Sequence, residues 1–110
     1  MKVPDDVETS IVDKATYVED AVAVLAAKRS LDEAVYRGDR EQQAIVEREF
    51  QTAIEACIDI AGLLIRVSDG EMPETYGDRF DLLEELDVLT AETSERMREA
   101  AGFRNVLVHQ

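Results

Sequence analysis

Nine apolar positions between Val46 and Ile65 recur at three- and four-residue intervals: Val46, Phe50, Ala53, Ile54, Cys57, Ile58, Ala61, Leu64 and Ile65. That spacing places them on one face of an α-helix, and it does not fit a strand, whose successive side chains alternate sides. An amphipathic helix of this length draws its stability from burying such a face, so other helices must cover it. Gly62 interrupts the run at a cost relative to alanine, which marks it as a point of close helix contact.

The rest of the chain supplies the partners. From about Val7 to Arg37 the residues Ile11, Ala15, Val18, Val22, Leu25 and Ala26 predict one face of a long first helix. Gly38 is a stop signal, and Asp39 followed by Gln42 reads as the cap of the next helix. The stretch 68–73 is a loop by its glycine and proline. A short helix follows, with Tyr76, Phe80, Leu83 and Leu86 expected to face inward. Thr90 caps a further segment expected to end near Ala101 and Gly102. With no internal repeat and no linker, residues 1–110 form one all-α domain, an antiparallel up-and-down bundle of four to five helices.

Charge narrows the partners. The chain carries 25 Asp and Glu against 12 Lys and Arg, a net charge of −13, and only Lys2, Lys14 and Lys28 are lysines. Such a surface opposes broad nucleic-acid binding and anionic membranes. Its self-repulsion is best tolerated in concentrated salt, so a salt-adapted setting is expected. The first six residues lack the apolar core of a signal peptide, and the longest apolar run, Ala21 to Ala27, is too short to span a bilayer, which points to the cytoplasm. The single cysteine, Cys57, forms no internal disulfide and sits on the apolar stripe as a small hydrophobe.

Inventory removes most reaction classes. One histidine and one cysteine do not make a zinc site, and the Glu-x-x-His pairs of a di-iron bundle are missing. No phosphate-binding glycine loop, nucleophile elbow or His-Glu-x-x-His motif occurs. The C-terminal run remains. Between Arg96 and Gln110 stand Arg96, Arg98 and Arg104 against one acid, Glu99, a surplus of two that leaves −15 on the rest of the chain. The chain's basic segment thus holds its one histidine, His109. Asn105 and His109 are four apart and share a helical face, so the amide can orient the imidazole. Arg104 precedes His109 by five residues, about 140° around a regular helix. Two routes would reunite them: an irregular turn after Gly102, whose free N–H groups also favour phosphate, or a two-fold pairing of subunits that pools their motifs.

Arg104-Asn105-x-x-x-His109 resembles the Arg-(polar)-x-x-x-His signature of HEPN-domain ribonucleases, in particular the HepT-like toxins. Residues 53–61 resemble that family's second long helix. Pro73, Tyr76, Phe80 and Leu83 sit where it has its loop and short helix, and Gly102-Phe103 matches the lead-in to its motif. The likeness covers roughly residues 45–110. It implies a homodimer that cleaves RNA as an endoribonuclease toxin without metal or cofactor. His109 would activate the ribose 2′-OH, Arg104 would stabilise the phosphorane charge and Asn105 would hold His109. It also implies a nucleotidyltransferase antitoxin as partner, which modifies a tyrosine two residues past the histidine. That position and the family's further C-terminal helix lie beyond Gln110, so the modification attaches to no residue here. A second reading is a catalytically inactive helical partner of a nucleotidyltransferase, and a third is a homodimeric structural bundle.

Overall fold

A computed structural model describes residues 2–29 and 33–109. Its elements are α1 (Asp5–Lys28), α2 (Glu33–Gly38), α3 (Arg40–Val67), α4 (Tyr76–Glu85) and α5 (Ala91–Val108), and no strand occurs among the described residues. The 28 residues of α3, at about 1.5 Å each, run most of the molecule's 48 Å long axis. Its stripe behaves as the spacing predicts. Ile54, Ile58, Ala61 and Ile65 form the core with Phe80 and Leu83 of α4 and Ala101 of α5, and Ile65 is fully buried.

The helix starts are set by side chains. Asp39 Oδ1 accepts from the Gln42 N–H at 3.1 Å, the expected cap of α3. Thr75 and Thr90 cap α4 and α5 through Asp78 and Thr93. The last turn of α3 closes with Asp69 in the left-handed region, φ 56°, while the Asp69 and Gly70 N–H groups bond to Arg66 and Ile65 carbonyls. Asp87 ends α4 the same way, with φ 60° and the Val88 N–H on the Leu83 carbonyl.

Neighbouring residues give the directions. Ser10 faces Gly62 and Arg66, Lys14 meets Asp59, and Leu25 lies beside Val46, so α1 runs antiparallel to α3. Phe103 near the end of α5 packs on Phe50 near the start of α3, while Thr93 and Met97 line one space with Ala61 and Leu64 farther along it, which makes α5 antiparallel to α3 as well. The short helix departs from strict alternation. Arg79 lies over Ile58 and Gly62 while Leu82 lies over Gly70, so α4 ascends in the same sense as α3. The 68–75 connection is long enough to carry the chain back before α4 begins.

Three expectations are corrected. The first helix ends at Lys28 and Glu33–Gly38 is a separate short helix, rather than one helix to Arg37. On α1 the one buried residue is Ala21, while Val22 is 53% exposed. The unbroken apolar run from Ala21 to Ala27 carries no period from which its inner face can be told. Tyr76 and Leu86 are exposed rather than core, standing at the two ends of a ten-residue helix whose buried residues, Phe80 and Leu83, lie between them. Among the described residues no helix is long and apolar enough to cross a membrane.

The packing predicts that Ile65→Ala lowers unfolding free energy by about 3 kcal/mol in urea titration, since it empties a fully enclosed site. Val12→Ala, on the exposed side of α1, changes it by no more than about 0.5 kcal/mol.

Candidate functional site

α5 does not stop at Gly102. It continues to Val108, and the His109 N–H closes its last turn on the Asn105 carbonyl at 3.2 Å. Gly102 meets no atom of another element, so nothing there forces a break. The irregular turn that would have brought Arg104 beside His109 is therefore absent. The two side chains leave one regular helix about 140° apart. The first of the two routes is closed.

The structure separates their surroundings too. Arg104 turns inward onto α3. Its Nε and Nη2 donate to the same Glu55 Oε1 at 3.1 and 3.0 Å, and its side chain is 19% exposed. Nη1 donates to Asn105 Oδ1 at 3.1 Å. Its guanidinium carbon also lies 5.4 Å from the centre of the Tyr76 ring, a cation–π distance. Glu55 is steadied by Gln51, whose amide donates to Oε1 at 3.2 Å. The guanidinium is thus gripped from three sides. Within one chain Asn105 spends its amide oxygen on Arg104. His109 is exposed at the end of α5.

The basic run read from sequence is dispersed. Arg96 pairs with Glu92 along the exposed face of α5 at 3.0 Å, Arg98 Nε with Asp81 of α4 at 3.0 Å, and Arg104 with Glu55 of α3. Proximity in sequence placed these arginines together, but a helix points residues two and six apart in different directions. Around the exposed end of α5 lies apolar surface instead: Phe103, Val106 and Val108 are 49%, 57% and 40% exposed. Phe103 is supported from below by Phe50 in an edge-to-face pair, with ring centres 5.0 Å apart.

Sequence reasoning missed Glu55, Tyr76 and Arg79 at this site. Glu55 is 49 residues from Arg104 and carries no local signal. Tyr76 sits at core spacing in the sequence, and its role as a platform for two guanidinium groups, Arg79 at 5.1 Å and Arg104 at 5.4 Å, emerges only from the fold. Ser94, fully buried with its hydroxyl on the Phe80 carbonyl at 3.1 Å, fastens α5 to α4 beneath the site. Cys57 is half-buried beside the core, and burial pushes its thiol pKa up. Among the described residues no cluster of His, Cys, Asp and Glu is arranged to hold a metal ion.

Comparison with known proteins aligns with this architecture. The family described as ribonuclease HepT-like matches residues 12–110. A curated relative from Shewanella oneidensis, named mRNA nuclease HepT, is 32% identical over 78 residues, 71% of this chain and 59% of its own. A protein of Archaeoglobus fulgidus, named provisionally as an RNase, is 32% identical over 59 residues, 54% of this chain and 44% of its own. The chain thus spans roughly half the length of the curated relatives it matches. A solved structure described as a toxin-antitoxin with AMP-PNP superposes with a TM-score of 0.85 at 26% identity, covering 93% of this chain and 76% of the other.

Two outcomes follow from the geometry. Glu55→Gln removes the charge that holds Arg104 inward and lowers stability by about 1 kcal/mol, read by urea titration. Because its pKa is raised, Cys57 stays a thiol beyond the usual range. Folded protein is then alkylated by iodoacetamide more slowly at pH 8 than urea-unfolded protein. The neutral thiol's contribution to stability is full below the ordinary cysteine pKa and declines as pH climbs through the raised one.

Proposed function

The chain belongs to the ribonuclease HepT-like family, and on that premise we propose that it is the toxin of a toxin-antitoxin pair, a metal-independent endoribonuclease. Its site is formed when two copies pair through the apolar end of α5. One observation carries this reading. Arg104 and His109 leave a continuous helix in divergent directions, and on the wider arc of α5 that joins them Phe103 and Val106 stand exposed. A two-fold partner seated on that surface would cover it and present its own motif, so that the arginine of one copy could approach the histidine of the other.

The chemistry these groups offer is transesterification. The His109 imidazole takes the proton of a ribose 2′-OH, and the 2′ oxygen attacks the adjacent phosphorus. The phosphorus–5′-oxygen bond breaks, the leaving oxygen takes a proton from solvent, and a 2′,3′-cyclic phosphate remains. Arg104 donates paired N–H bonds to the phosphoryl oxygens as negative charge gathers on them. Asn105 positions the site, through Arg104 within its own chain and through His109 along the same helix face. The Glu55 pair is the resting arrangement, which a phosphate must compete with or share.

A protein partner is supported by the superposed structure, whose description names an antitoxin and AMP-PNP, an ATP analogue. A nucleotidyltransferase antitoxin fits that ligand, and a cytoplasmic setting fits an RNA target. The strong negative charge suits a high-salt environment, and assays are best run there. A second reading is kept by the grip of Glu55 on Arg104: a chain whose arginine never leaves that carboxylate would be a non-catalytic binding partner of the same nucleotidyltransferase.

The test is cleavage of a defined single-stranded RNA in high salt, with and without EDTA. The protein cleaves at a rate that EDTA does not alter, and His109→Ala lowers kcat by at least about 10²-fold. A 2′-deoxy substitution 5′ of the cleaved bond abolishes the reaction. Cleavage that persists in His109→Ala, or that EDTA stops, contradicts the proposal. A protein that cleaves nothing yet co-purifies with a nucleotidyltransferase establishes the second reading.

A further inference from the structure

A chain of net charge −13 that acts on RNA must hold a polyanion against its own field. The end of α5 supplies little free positive charge, since Arg96 and Arg98 are each matched by a carboxylate and Arg104 is shared with Glu55. Cations do converge in a cleft of about 270 Å³ between α1, α3 and α4, where Lys14, Arg66 and Arg79 stand with one acid, Asp59. Its volume is several times the roughly 30 Å³ share of one water molecule, so a phosphodiester fits. Among the described residues, Arg66 and Arg79 have no carboxylate within salt-bridge distance, and Lys14 meets Asp59 only at 3.9 Å.

Arg79 is the built part of this cleft. Its Nη1 donates to the Ile58 carbonyl at 3.1 Å, which fixes the guanidinium against α3. It can lie there because residue 62 is glycine: a Cβ at that position would come within 2.8 Å of Nη1. The close contact read from sequence at Gly62 is thus the seat of an arginine. Arg79 Nε is buried with no hydrogen-bond partner. A part-buried guanidinium with no counter-charge is costly unless an anion joins it. Arg79 also links the cleft to Arg104, because both guanidinium groups lie against the Tyr76 ring.

We infer that the Lys14–Arg66–Arg79 cleft binds a backbone phosphate of the RNA strand, next to the scissile position that Arg104 engages. This rests on the proposed ribonuclease reading and adds to it a strand path: from Arg104, past the exposed Tyr76, to Arg79 and the cleft. The site is sequence-blind, since it holds a phosphate and no base edge. Asp59 weakens it without cancelling it.

Binding of a fluorescein-labelled single-stranded RNA to the His109→Ala protein, followed by anisotropy across a potassium chloride series, separates this site from catalysis. Arg66→Gln or Lys14→Gln in that background weakens binding about fourfold at 0.15 M salt and flattens the plot of log affinity against log salt by about 0.7, the share of one phosphate contact on a single strand. Asp59→Asn tightens binding. Arg37→Gln, which removes the same charge from the exposed surface of α2, moves the slope by much less. Equal effects of Arg66→Gln and Arg37→Gln, or an unchanged slope in both cleft variants, overturn the inference. If the native chain cleaves RNA through His109 while the Arg66 variant binds and cleaves like it, the cleft is wrong and the ribonuclease reading stands. If the slopes shift as expected but the native chain cleaves nothing, the phosphate site stands and the catalytic reading falls.

Discussion

The apolar stripe of α3 is the surface against which α4 and α5 are positioned. Ile54, Ile58, Ala61 and Ile65 form one cluster with Phe80 and Leu83 of α4 and Ala101 of α5, so α4 and α5 are located by the same few side chains. The functional groups inherit that placement. Glu55 and Gly62 stand beside the stripe on the same helix, and they receive Arg104 from α5 and Arg79 from α4 respectively. Loss of packing at α3 would therefore displace both arginines together.

Tyr76 joins the two. Its exposure looks like a core residue failing to bury, yet its ring carries a guanidinium on each of two approaches. Aromatic rings attract cations through their quadrupole, and they do so without consuming the hydrogen-bond donors that a phosphate would use. Arg104 is held more tightly than Arg79, since Glu55 accepts from two of its nitrogens. That difference suits an arginine that must be aimed and one that needs only to be available, and it follows from which neighbour, a carboxylate or a main-chain carbonyl, the fold sets beside each.

Much of this was legible in the sequence because it is local. The α3 stripe, the Asp39 and Thr90 caps and the 68–73 loop each depend on residues a few positions apart, and the structure has them as read. The helix boundary at Gly102 was not legible. Glycine weakens a helix, but here the flanking residues carry α5 through it, and the expected turn vanished with its free N–H groups. Nor were the partners of the arginines legible, since Glu55–Arg104 and Ile58–Arg79 contacts span 49 and 21 residues and no periodicity reports them. The inward placement of Val22 failed for a third reason: its neighbour Ala21 is apolar too, so composition gave no sign of which one packs.

The proposed division of labour between Arg104 and His109 across two copies rests on their divergence along α5. Co-refolding equal amounts of Arg104→Ala and His109→Ala chains, each inactive alone, tests it directly. In mixed dimers one of the two composite sites regains an intact arginine from one copy and an intact histidine from the other, so RNA cleavage returns to about one quarter of the native rate for random assortment. A mixture as inactive as its components, with mixed dimers shown to have formed, would mean that both groups must come from one chain, and the account of a shared site would be wrong.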